Sequence, residues 1–118
     1  MIYMEKETFI TKIKKEVSSP QKDITQEKEF SLILDVFSTP QEERNKKVIK
    51  LIERGIEMIE EKNSLAPNYF LAISELPALD TNLRSFCVDA MLVAEHDFNG
   101  EFKSVDELCK KFSEIKTQ

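Results

Sequence analysis

Two glycines and four prolines in 118 residues set the tightest limit on this chain. A β-sandwich or barrel needs a turn signal about every 8–12 residues, and glycine and proline supply most of them. So few breakers leave long uninterrupted segments, which points to helices. Apolar residues make up 41% of the chain, enough for one packed core. The expected fold is all-α: one single-domain bundle of five to six helices, mostly antiparallel αα-hairpins.

Apolar spacing places the helices. Phe9, Ile10, Ile13 and Val17 mark a first helix over residues 1–17, closed by the "SSP" at 18–20. A polar linker is expected over 18–29, then a compact helical core over 30–118. Within it, Phe30, Ile33, Leu34 and Phe37 share one face of a second helix spanning roughly Gln26 to Phe37. Thr39, Pro40 and Glu42 read as a capping box with proline at the first helical position. They open a helix to about Glu61, carrying Val48, Leu51, Ile52, Ile56 and Ile59. Gly55 lies on the same stripe. A glycine there lowers helix propensity by about 1 kcal/mol, so a close neighbouring helix is expected over it.

A shorter helix begins near Pro67 and ends before Pro77, with Phe70, Ile73 and Leu76 inward. Asp80 caps a helix to about Phe98, apolar nearly all round and therefore expected at the centre of the bundle. Asn99-Gly100 is its expected stop, with Gly100 in the left-handed position. A second capping box, Ser104 to Glu107, starts a last helix with Val105, Leu108, Cys109, Phe112 and Ile115.

Several chemistries are tested by spacing. Ser85, Asp89 and His96 share a stripe, but Ser85 and His96 are about 16 Å apart along a helix axis, whereas a nucleophile and its base need about 3 Å. Glu95, His96 and Asp97 are consecutive and point about 100° apart, so they cannot chelate together. His96 is the one histidine, and neither H-E-x-x-H nor C-x-x-C occurs. Gly55 and Gly100 are too far apart for a phosphate loop. No catalytic residue, metal ligand or cofactor-binding residue is expected, and no small-molecule ligand. Cys87 and Cys109 fall on apolar faces and read as reduced, buried side chains. No run reaches the length of a membrane span and no secretory signal opens the chain, so a cytoplasmic location is expected.

The charge is unevenly placed. Residues 1–54 carry 11 basic and 10 acidic side chains, whereas residues 55–118 carry 6 and 12. A phosphate-backbone binder wants the opposite, so direct nucleic-acid binding is not expected; the basic run around Arg44, Lys46, Lys47 and Lys50 reads as a solvated helix face. Helix-start capping accounts for Asp80, Asp106 and Glu107. It does not account for Glu57, Glu60 and Glu61 at a helix C-terminus. Together with Asp89, Glu95, Asp97 and Glu101 they form the expected binding surface for a basic protein.

Small size, helical reading, acidic second half and lack of a catalytic motif together resemble bacterial toxin-immunity proteins of the colicin or contact-dependent-inhibition type. The likeness is one of general character along the whole length; no residue motif carries it, so no residue role is transferred. It implies a non-enzymatic inhibitor that covers the active site of a basic, nuclease-type toxin. The alternative is a small adaptor, chaperone or phage-encoded regulator binding its partner through an apolar groove.

Overall fold

Among the described residues six α-helices follow one another: α1 (Lys6–Glu16), α2 (Lys28–Phe37), α3 (Gln41–Glu60), α4 (Ala66–Ser74), α5 (Thr81–Ala94) and α6 (Val105–Lys116). A short 3-10 turn, Ile24–Gln26, precedes α2. The computed structural model describes residues 5–16, 24–96 and 99–117. Among these there is no strand, and they pack as a single all-α bundle. The first four residues and the Val17 end of the expected first helix, the "SSP" stop and linker residues 18–23 lie outside the described residues, as do Asp97 and Phe98.

The centre of the bundle is α4. Six of its nine residues are buried, including Tyr69, Phe70 and Ile73. It runs back along α3: Phe70 lies against Gly55, and the Tyr69 hydroxyl donates to the Leu51 carbonyl at 2.7 Å. The expected close approach at Gly55 is therefore present. A Cβ built there would stand 2.9 Å from two carbons of the Phe70 ring, and nearer still to its Cζ. The buried hydroxyl of Tyr69 satisfies itself on a helix carbonyl, a second lone pair that α3 can spare. Tyr69 was not among the residues read as inward from the spacing.

Beside α4 lies α5, less enclosed than its composition suggests. Leu83, Phe86, Cys87, Ala90 and Val93 are buried, but Val88 is 40% exposed. The apolar excess of α5 thus exceeds the surface its neighbours cover. Two arginines organise the ends of α2 and α4. Arg84 donates to the carbonyls of Ser74 and Leu76, both at 2.9 Å. Arg44 reaches the carbonyls of Pro77, Phe37 and Thr39. Helix ends leave carbonyls without intrahelical partners, and a guanidinium fork satisfies several at once. Arg44 in the basic run is thereby committed to the fold.

Three local expectations change. The Thr39 capping box does not form. Its hydroxyl donates instead to Asp35 O at 2.9 Å, and Pro40 precedes the first residue of α3 with no side-chain cap. Helix α5 stops at Ala94 rather than Phe98, and His96, not Gly100, takes the left-handed conformation with φ 62°. The His96 N–H closes on Val93 O at 2.9 Å, a helix-terminating bond commonly found where the residue after the C-cap is left-handed. Lys62 ends α3 in the same way, with φ 59°. Finally, the described part of the expected linker is not a linker: Ile24 is fully buried, and Lys28 and Glu29 already belong to α2. By contrast, Asp80 Oδ1 accepts the N–H groups of Asn82 and Leu83, and Ser104 Oγ accepts that of Glu107, as expected.

The α3–α4 contact yields a stability prediction. Ala at position 55 gains about 1 kcal/mol of helix propensity. Overpacking a fixed ring costs about 1–3 kcal/mol, and Phe70 is fully buried. Gly55→Ala should lower the melting temperature, and Phe70→Leu in that background should return part of the loss. A Gly55→Ala variant as stable as the original chain would contradict the close approach.

Candidate functional site

The acidic residues singled out by sequence fall into different environments. Glu57 and Glu61 are exposed but paired within the fold. Arg54, one and two turns before them on α3, donates to Glu57 Oε2 at 3.2 Å and to Glu61 Oε1 at 3.4 Å. Its other nitrogen holds Glu29 Oε1 at 3.4 Å. The Glu29 side chain is only 8% exposed, so it would be costly to leave ionised without a cation. Burial opposes the charge on Arg54, but the pull of Glu57, Glu29 and Glu61 outweighs it and raises the arginine pKa. The three glutamates answer a need of the fold: they and Arg54 tie α2 to the C-terminal half of α3. Only the i, i+3 spacing of Arg54 and Glu57 was visible in the sequence.

Glu60 and Glu95 are exposed on the surface. Glu60 faces α6, where its charge acts on Cys109. Asp97 lies outside the described residues. The two remaining residues, Asp89 and Glu101, are brought together. They line a cleft of about 350 Å³ between α5, α6 and the segment that joins them. Its first wall is one face of α5, where Asn82, Ser85, Phe86 and Asp89 recur at i, i+3, i+4 and i+7. Its second wall is α6, with Lys111 and Ile115 one turn apart. Glu101 and Phe102 close one end.

Local structure holds this geometry. Phe86 meets Phe102 edge-on at 5.8 Å between ring centres and Phe112 at 5.9 Å. The connecting segment is fixed by Lys103, whose Nζ donates to Gly100 O at 3.0 Å and whose N–H donates to Glu107 Oε2 at 2.6 Å. Among the described residues neither Asp89 nor Glu101 has an ion-pair partner, and Lys111 lies 3.7 Å from Glu114 instead. Partial burial, and then the nearby charge of Glu101, raise the Asp89 carboxyl from its ordinary value. Such a cleft is disposed to accept a proton or a cation, and its aromatic walls suit an organic cation.

The other features singled out by sequence do not converge on it. Ser85 and Asp89 line the cleft, but His96 lies elsewhere, with Lys62, Ile59 and Pro67 around a depression of about 270 Å³ at the ends of α3 and α5. Cys87 is buried and Cys109 half-buried rather than fully enclosed; both are unbridged. Burial pushes the Cys87 thiol up to about 12, and burial with the charges of Glu60 and Asp106 raises Cys109, so both are protonated at neutral pH. Among the described residues no group of three or more His, Cys, Asp or Glu side chains could hold a metal ion, and no helix is long and apolar enough to cross a membrane. Two larger depressions, each about 460 Å³, lie along one face of α1 and beside the α4–α5 connection. The first is lined by a single helix. In the second, Lys12 and Glu75 pair with each other and Arg84 is bound to carbonyls. Neither presents an unanswered charge between facing walls.

No family model, curated protein or solved structure matches this chain.

The raised Asp89 carboxyl gives a pH signature. Its folded pKa lies above its unfolded value, so the protonated form favours folding at low pH and that contribution is lost as pH rises through the folded pKa. At neutral pH the ionised side chain therefore opposes folding slightly. Asp89→Asn should raise thermal stability at pH 7, by under about 1 kcal/mol because solvent screens the site. The gain should vanish near about pH 3, where carboxyls are protonated in both states. Paired melting curves across that range check this; a variant less stable at pH 7 would contradict the placement of Asp89.

Proposed function

We propose that this chain is a non-enzymatic binding protein that neutralises a basic protein by covering its working surface, in the manner of an immunity protein. The cleft formed by Asp89 and Glu101 supplies the main contact. One observation carries the reading: these two carboxylates line one cleft and neither has an ion-pair partner among the described residues, the cleft's Lys111 lying 3.7 Å from Glu114 instead, while the other acidic pair of note, Glu57 and Glu61, is paired with Arg54. An unbalanced acidic concavity attracts a cationic surface and orients it as it approaches. Exposed Glu60 and Glu95 add to the same field, as part of the acidic excess of the second half of the chain. A nuclease that grips phosphates presents the complementary charge, and occluding that surface stops it without any chemistry by the inhibitor.

The apolar-groove alternative has less to stand on. Exposed large hydrophobics among the described residues are Leu32 on α2 and Val88 on α5, single side chains on separate helices. Scattered singles of this kind are ordinary surface.

The test is co-expression with the product of the neighbouring gene. The reading predicts a one-to-one complex that abolishes that protein's activity. Affinity should fall by about tenfold or more as salt is raised from low to several times physiological ionic strength. Absence of a complex, or one indifferent to salt, would sink the acidic-contact reading.

A further inference from the structure

Helix α6, the second wall of the cleft, is anchored unequally at its two ends. At its start, Ser104 Oγ accepts the Glu107 N–H and Glu107 Oε2 accepts the Lys103 N–H, a reciprocal cap that ties the first turn to the connecting segment. At its far end half-buried Ile115 packs against the core, and the ion pair to the rest of the fold is the exposed Lys116–Glu53 at 3.9 Å, a kind of contact that contributes little in water. Between the ends only Leu108 and Phe112 are buried out of twelve residues, whereas α4 buries six of nine. A helix of this length is marginal by itself, so α6 persists by packing on the core, through buried Leu108 and Phe112 and half-buried Val105, Cys109 and Ile115. The seat of Phe112 is Phe86, the same ring that packs against Phe102 at the closed end of the cleft.

We propose that α6 is a movable wall of the Asp89–Glu101 cleft. It swings away from α5 about its capped N-terminal turn, in a step that precedes global unfolding, and carries Lys111 and Ile115 out with it. Opening widens the cleft and withdraws the one lysine that lines it; closure encloses whatever cation has entered between the carboxylates. That the cation belongs to a basic protein rests on the function proposed above. The opening itself does not, and it can be measured on the isolated chain.

Hydrogen exchange read by mass spectrometry on the full chain provides the test. Amides in the second half of α6 should exchange at least about tenfold faster than those of α4, the mark of a local opening below the global one. Phe112→Ala should strip protection from α6 while α3, α4 and α5 keep theirs. If α6 exchanges in step with α4, or if Phe112→Ala unfolds all helices in one transition, the movable wall is wrong. An oligoarginine peptide then separates the two ideas. Slower α6 exchange in its presence supports the wall and its closure on a cation. Rapid α6 opening that the peptide leaves unchanged supports the wall while removing the support for a basic partner.

Discussion

The structure turns on the contact between Gly55 and Phe70. A side chain at position 55 would push α4 away from α3, and α4 is the element against which α2, α3 and α5 all pack. Because the backbone of α3 is bare there, the Phe70 ring reaches it and Tyr69 reaches the Leu51 carbonyl. The close approach thus sets the depth of the core. On α4 in turn lies α5, which presents Asn82, Ser85, Phe86 and Asp89 to the cleft it shares with α6. The radius of gyration, 13.5 Å, matches the roughly 13–14 Å of a compact chain of this length.

Electrostatics divides the surface in a way that net charge does not reveal. Arg54 gathers Glu29, Glu57 and Glu61, and each of these glutamates has its partner within the fold. Arg44 and Arg84 are occupied by carbonyls at helix ends. The cations placed best to answer acidic charge are therefore committed to holding the chain together. Asp89 and Glu101 are left on one cleft with no ion-pair partner among the described residues, and partial burial, then the charge of Glu101, raises the Asp89 carboxyl.

The fold class was legible because scarcity of glycine and proline, helical spacing and two of the capping signals agreed. Asp80 and Ser104 behave as their neighbours in sequence imply. Thr39 did not, since a buried hydroxyl at a helix corner chose the preceding helix over the following one, a choice made by tertiary packing. The end of α5 was misplaced because Gly100 was expected to take the left-handed position that His96 takes; nothing in a single sequence shows a histidine accepting that strain. The buried place of α4 was underestimated since a nine-residue helix has too few positions to reveal that it is covered on several sides. As for the site, the list of acidic residues held Asp89 and Glu101, but not their pairing, which depends on how the segment after α5 folds back. Nor did it show that Arg54 balances Glu57 and Glu61, because the balance includes Glu29 from another helix.

The central claim is that the position of acidic charge, not its amount, defines the binding surface. Two double variants remove the same charge from different places: Asp89→Asn with Glu101→Gln, and Glu57→Gln with Glu61→Gln. The direct measurement is the dissociation constant of each for the neighbouring-gene product, at one salt concentration, with folding checked by thermal melting. The cleft pair should weaken binding by about tenfold or more, and the Arg54-bound pair by less than about twofold. Equal losses from the two would show that total charge governs binding and would contradict the cleft as its site.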